Sequence, residues 1–350
     1  MTVALPLVVA SCTGAAPTSP SEVGPSSAGP PAETTAASSF TAPAPPRATP
    51  PPASASSSRL SPNPHDDVAN ADAHQACPDD MVLVAGDYCE RLVVTCLEKW
   101  HAPQNHLWVC EEVEAPTRCE GPTRPLRFCI DRYEFPNRAG QRPMVMQNFY
   151  QAQLHCHRRG KRVCTEREWT KACEGPDNKP FPYGYTRDAT ICHGDQPWDF
   201  PRGDALLERD PDELERLWQG KVSGSSPRCV SDYGVYDLPG NADELAASET
   251  SGRGPKRDFD NVTTGGPWYR GVRNMCRPKI YSHDESFAYY YLSWRCCAEP
   301  DGAPTDPRAP KQIERGWPWS RVEHLAHHSW KMPFNPRVPG DEGYAPSGPR

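Results

Sequence analysis

Several things are scarce or missing in this 350-residue chain. No apolar run reaches the roughly 18 residues that a membrane-spanning helix needs. Basic charge is not in excess: the formal net charge is −7, so the basic face of a nucleic-acid binder is not expected. No internal repeat divides the chain. Large apolar residues are almost missing from Thr13 to about Ala76, a stretch of Pro, Ala, Ser and Thr. Such a segment cannot bury enough surface to offset its ordering entropy, so residues 13–76 read as a disordered tether biased toward extended polyproline conformations.

Proline and cysteine are abundant, with 42 and 15 residues. The cysteines point to an oxidising compartment if they pair. The start of the chain agrees. "MTVALPLVVASC" is a short apolar stretch ending in small residues, which reads as a signal peptide, residues 1–12. "VASC" resembles a bacterial lipobox with Cys12 as the lipidated residue, although Lys and Arg are missing ahead of the apolar stretch. With Thr13 after the anchor, the expected location is the bacterial cell envelope, either anchored in the outer membrane or in the periplasm. Setting Cys12 aside leaves fourteen cysteines, an even number that suits full pairing.

From Cys77 the composition becomes that of a folded domain, which we place at residues 77–300. Met81–Val84, Leu92–Thr95 and Leu126–Phe135 are strand candidates. A helix is expected over roughly Asn148–Arg159, stopped by Gly160. "TERE" sets Thr165 as the N-cap of a second helix, with Glu168 completing a capping box. A third starts near Pro211, with Asp212 and Glu213 in its first turn. Residues 301–350 are again proline-rich and read as a low-order tail with one aromatic and histidine cluster. Short elements and many cysteines imply an irregular, disulfide-rich α+β fold.

Several groups could carry chemistry. His155 and His157 flank Cys156, with Cys164 close behind, which are zinc-ligand types. Residues 155 and 157 lie on different faces of a helix, however, and disulfide pairing is the simpler use of these cysteines. Asp131 and Glu134 could form an acid–base pair, or bond loop backbone and neighbouring arginines. "HLAHH", His324–His328, offers only His324 with His327 or His328. "NVT" at Asn261 has the form of a glycosylation acceptor.

Six segments in a fixed order resemble the formylglycine-generating enzyme, or sulfatase-modifying factor, family. They are "FCIDRYEFPN", "GKRVCTEREWTKACEG", "PFPYG", "SDYGVYDLPGNADEL", "GGPW" and "LSWRCC", spread over about Met81–Ala298. The resemblance implies a C-type-lectin-like fold. It also implies a copper(I) site of two cysteines in a C-x4-C pattern just after the Gly-Gly turn. Counted without gaps from Gly265, those positions hold Arg270 and Met275, so copper is not expected. Cys276 sits one residue further on. The resemblance further implies calcium, for which Asn241 and Glu244 match oxygen ligands. His193 stands where the family has an asparagine, and Asn241 and Glu244 could equally stabilise turns.

Two functions are open to such a chain. In the first, the domain lacks the oxidase site and binds a protein, peptide or glycan ligand in the envelope, on a surface of Trp268, Tyr269, Arg270, Tyr289 and Tyr290. In the second, it is a formylglycine-generating or related maturation oxidoreductase, with Cys276 as its catalytic thiol. The state of Cys276 separates them. The family fold places "LSWRCC" near the Gly-Gly segment, so Cys276 is expected in a disulfide with Cys296 or Cys297.

Overall fold

The computed structural model describes residues 76–102, 107–249, 259–269 and 271–329. The strands are β1 (Met81–Cys89), β2 (Leu92–Val93), β3 (Cys96–Ala102), β4 (Leu107–Val113), β5 (Arg118–Cys119), β6 (Thr123–Asp131), β7 (Arg162–Val163), β8 (Asp243–Ala247), β9 (Asn261–Thr264), β10 (Lys279–Ile280), β11 (Leu292–Trp294) and β12 (Cys296–Ala298). The helices are α1 (Phe149–His157), α2 (Glu166–Glu174), α3 (Gly203–Glu208), α4 (Pro211–Leu217), α5 (Pro310–Glu314) and α6 (Trp319–His328). One sheet has the order β1-β6-β12-β7 and is antiparallel throughout. A second has the order β10-β9-β8-β11, with β8 and β11 parallel. β3 and β4 form a separate hairpin.

β6 shows why its residues make a strand. Its first residues are mostly exposed, whereas Phe128–Asp131 are all buried. Successive side chains leave a strand on opposite faces. Phe128 and Ile130 pack with Val84 of β1 against Trp169 and Ala172 of α2. Cys129 joins a different cluster with Cys77, Met81 and Ala298. A strand covered on both faces reads as a continuous apolar run, which is what "FCI" is.

The helix ends obey local signals. Asn148 caps α1: its side-chain oxygen accepts from the Gln151 N–H (2.9 Å), and Gln151 accepts from the Asn148 N–H (3.0 Å). Thr165 and Glu168 form the same box on α2, at 3.3 and 2.8 Å. Asp210 caps α4, with Pro211 in its first turn. Phe149 to Cys156 of α1 are all buried, so this helix needs cover on two sides. Phe149, Ala152 and Cys156 face a cluster with Phe135 and Trp294. Tyr150 and Leu154 face Val322 and Ala326 of α6.

That second contact corrects the expected boundary at residue 300. Residues 301–329 belong to the domain, and residues 330–350 lie outside the described residues. The prolines here start helices rather than prevent them: Pro310 is in the first turn of α5, and Pro318 caps α6. Trp317 lies under Arg315 and Arg321, at 4.7 and 3.7 Å from its ring. Gln312 of α5 bonds Gln153 of α1 at 2.9 Å. Residues 1–75, including the expected leader, Cys12 and most of the tether, lie outside the described residues.

The fourteen cysteines from Cys77 to Cys297 form seven disulfides. Three lie toward the start of the domain: Cys77–Cys129, Cys89–Cys119 and Cys96–Cys110. The other four are Cys156–Cys296, Cys164–Cys297, Cys173–Cys276 and Cys192–Cys229. This is the pattern of a chain folded in an oxidising compartment. Among the described residues, no helix is long and apolar enough to cross a membrane.

Candidate functional site

The Gly-Gly-Pro turn leaves β9 with both glycines at positive φ, 85° and 70°. A Cβ at Gly266 would stand 2.7 Å from Arg273 Cβ, so only glycine fits there. Asn274 holds the turn from one side, donating to the carbonyls of Gly265 (3.1 Å) and Gly266 (3.2 Å). Asp243 holds it from the other, accepting from the Gly266 N–H (3.3 Å) and from buried Arg273 (2.6 Å). The segment reaches Cys276 through a short 3-10 turn, Gly271–Arg273.

Cys276 is fully buried and bonded to Cys173, at the last turn of α2. Its N–H donates to Pro180 O at 3.0 Å. Arg277 does not activate a thiol here. It pairs with Glu174, donates to Cys89 O (2.9 Å) and lies 4.9 Å from the Tyr88 ring. The expected bridge from Cys276 to Cys296 or Cys297 is therefore corrected. β12 lies in the first sheet, between β6 and β7, whereas the Gly-Gly turn leaves the second. The adjacent cysteines do diverge to opposite faces, but Cys296 meets Cys156 of α1 and Cys297 meets Cys164 beside β7.

Asn241 and Glu244 do not fit calcium. Asn241 Oδ1 accepts from the Lys221 N–H (2.7 Å), and Nδ2 donates to Glu134 (2.7 Å). Both Glu244 oxygens accept from Arg295, at 2.9–3.0 Å, and one also accepts from Trp169 Nε1. A buried guanidinium stands where a cation would have to sit. Burial pushes the Glu244 carboxyl up to about 7, against the pull of Arg295. His193 is bonded at Nε2 to Gln219 O (2.7 Å). Among the described residues, no group of three or more His, Cys, Asp or Glu could hold a metal ion.

The remaining sequence candidates are structural. Asp131 accepts from Lys161 (2.7 Å) and from the Cys296 N–H (3.0 Å). Glu134 accepts from Ser223 Oγ (2.6 Å) as well as Asn241. They serve different networks rather than one acid–base pair. His155 lies between Phe135 and Trp294, ring centroids 5.2 and 5.4 Å away, and burial drives its pKa down to about 3. Cys156 and Cys164 are in disulfides, so the zinc reading falls. Asn261 is buried in β9, out of reach of a glycan-transferring enzyme.

Two of the four described members of the expected aromatic surface are interior. Trp268 and Tyr290 are fully buried and pack with Leu206 and Leu217 of α3 and α4. Tyr269 and Tyr289 are half-buried against the same cluster. Arg270 lies outside the described residues. The exposed aromatics are one layer further out. Trp198 is 41% exposed and Phe200 77%, with ring centroids 4.3 Å apart. Trp198 is held from behind, donating Nε1 to Tyr290 OH at 2.7 Å, and its ring lies 6.0 Å from Tyr269. Sequence reasoning missed this pair. Its only signal is a W-x-F between Pro197 and Pro201 in a segment with no periodic pattern.

Beside Tyr269 lies a cavity of about 60 Å³ between the β3–β4 hairpin and the turn. Trp100, Ala102 and Val109 form the hairpin wall, opposite Asp195, Gln196 and Gly271. Arg187 ties the walls together through Glu111 on β4 (3.1 Å) and Asp195. A Cβ on Gly271 would overlap both Asp195 and Arg187.

This arrangement can be set beside known proteins. Residues 122–298, just over half of the chain, match the sulfatase-modifying factor enzyme 1-like domain. The chain belongs to that family. Among solved structures, this family member is similar to PvdO from Pseudomonas aeruginosa, at 15% identity and a TM-score of 0.41, covering 65% of this chain and 96% of that one. It is similar to CarF at 13% identity and a TM-score of 0.39, covering 63% and 98%. It is also similar to Treponema denticola variable protein 1, at 13% identity and a TM-score of 0.34, covering 63% and 95%. No curated protein matches.

Proposed function

We propose that this sulfatase-modifying-factor-like domain is a non-oxidising binding module. It is exported, lipid-anchored at Cys12, and takes a glycan of the cell envelope on the surface made by Trp198, Phe200 and Tyr269. The observation that carries the reading is the Cys173–Cys276 disulfide. It leaves no thiol on the segment where the family resemblance implies two, and the implied positions themselves hold Arg270 and Met275. A soft copper(I) ion has no thiolate pair to bind.

The chemistry of the surface supports a glycan as the ligand. An indole fixed at its Nε1 by Tyr290 is already ordered, so stacking a ligand on it immobilises little more. Flat apolar faces beside Asp195 and Gln196 suit a sugar ring, which has apolar C–H patches and hydroxyl edges. Two experiments test this. Purified protein supplied with copper(I) and a cysteine-containing sulfatase-type peptide should form no aldehyde; copper-dependent conversion lost in Cys276→Ser overturns the reading. Soluble envelope glycan fragments should quench tryptophan fluorescence in the wild type and not in Trp198→Ala. A response to envelope peptides alone would assign the surface to peptide instead.

A further inference from the structure

The histidines at the end of α6 belong neither to the core nor to the aromatic surface. Val322 and Ala326 face α1, which leaves His324 and His328 exposed on the other side, one helical turn apart. Their rings are stacked, with centroids 4.2 Å apart and planes 19° from parallel, so the exposed His324 ring must turn about its side-chain bonds for both Nε2 atoms to face one ion. His328 Nδ1 lies 2.7 Å from the His324 carbonyl oxygen. A carbonyl only accepts, so Nδ1 carries the hydrogen, and in the neutral ring Nε2 keeps the lone pair. That bond, from the non-ligating ring nitrogen to a backbone carbonyl, is how metal-ligating histidines are commonly oriented.

Two further features favour a cation here. His328 lies in the last turn of the helix, where unpaired carbonyls concentrate partial negative charge, and His324 lies one turn before it. The last turn is also fixed: Ser329, the C-cap, accepts from Asn148 Nδ2 at 2.8 Å, joining it to the start of α1. His327 is half-buried, with its ring 6.4 Å from His328 and at 73° to it, so it does not join the stack.

We infer that His324 and His328 chelate a divalent transition-metal ion of the imidazole-binding type, copper(II) most tightly, with water completing its coordination. Two neutral imidazoles suit copper(II), nickel(II) and zinc(II), and affinity among these peaks at copper. Once one imidazole is bound, the second is held one turn away and binds intramolecularly. The ion would clamp the last turn of α6 and so strengthen the seat of α6 on α1.

The test uses the full chain, copper(II) chloride as the probe, and calorimetry with hydrogen exchange. The double variant His324→Gln/His328→Gln should bind about one equivalent of copper(II) fewer than the wild type. Either single variant should weaken that site about tenfold or more, because chelation is lost. Both positions are exposed, so the metal-free variants should melt with the wild type, and His157→Gln should keep the site. Copper(II) should slow amide exchange at 325–329 in the wild type only. Equal stoichiometry and affinity in the double variant, or single variants that bind as tightly as the wild type, would overturn the inference. So would unchanged exchange at 325–329 on addition of copper(II).

Discussion

Trp268 and Trp198 are served by the same tyrosine and do opposite jobs. Trp268 packs on the ring of Tyr290, centroids 6.1 Å apart, and is fully buried. Trp198 donates to the hydroxyl of Tyr290 from outside and keeps 41% of its surface exposed. One residue type thus makes a core on one side of Tyr290 and a partly exposed face on the other. The difference is set by the chain around each indole. Trp268 sits in a turn pinned by Asn274 and Asp243 and roofed by α3 and α4. Trp198 sits in a coil between two prolines, outside every helix and strand of the described residues.

The sharpest way to test the contrast is to truncate both. Trp268→Ala should cost about 3–5 kcal/mol, the usual loss for a fully buried large aromatic. Urea midpoints would read it, and a loss below about 1 kcal/mol would contradict that packing. Trp198→Ala should change stability far less and weaken glycan binding about tenfold or more, as expected when a central aromatic anchor is lost.

Disulfides divide the molecule in a similar way. Cys173–Cys276 is buried and closes a sequence separation of 103 residues. Cys96 is exposed, and its bond to Cys110 closes only 14. Cys173→Ala/Cys276→Ala should cost about 4.7 kcal/mol, and Cys96→Ala/Cys110→Ala about 3 kcal/mol, from unfolded-chain entropy. A reductant experiment separates them more clearly. Under a mild dithiol, mass mapping should find Cys96 and Cys110 alkylated well before Cys276. The reverse order would break the comparison.

Burial also governs the carboxylates. Burial, reinforced by the charge of Glu134, pushes Asp237 up to about 8. The folded state then holds this proton more tightly than the unfolded chain. Stability should fall as pH rises from the ordinary aspartate range toward about 8, and level off above it. Asp237→Asn keeps an oxygen for the Gly224 N–H, which Asp237 accepts at 2.7 Å. That variant should flatten this part of the pH–stability curve and be more stable than the wild type at pH 8. An unchanged slope would contradict the account. The smallest effect belongs to Phe200→Ala: at 77% exposure its stability change should stay within about 0.5 kcal/mol.

Local chemistry was readable and distant pairing was not. The box of Thr165 and Glu168 and the cap before Pro211 involve residues three apart, so the sequence carries them directly. The strand expected over Leu126–Phe135 was legible in its first part because Phe128–Asp131 are buried, but it runs from Thr123 and ends at Asp131. The partner of Cys276 was not. Cys173 lies 103 residues away on a helix whose last turn passes the Gly-Gly segment, and only packing of α2 on the sheet brings them together. α6 was hidden by proline-rich surroundings, although its apolar residues, Val322 and Ala326, stand four apart as a buried helix face requires. Trp268 and Trp198 could not be ranked for burial, because neither lies in a run with a helix or strand period.

The most direct measurement is a peptide map of the purified protein, alkylated without reduction. One linked pair should join the peptides that carry Cys173 and Cys276, with no alkylation at Cys276. Alkylated Cys276, or Cys276 linked to Cys296 or Cys297, would contradict that pairing.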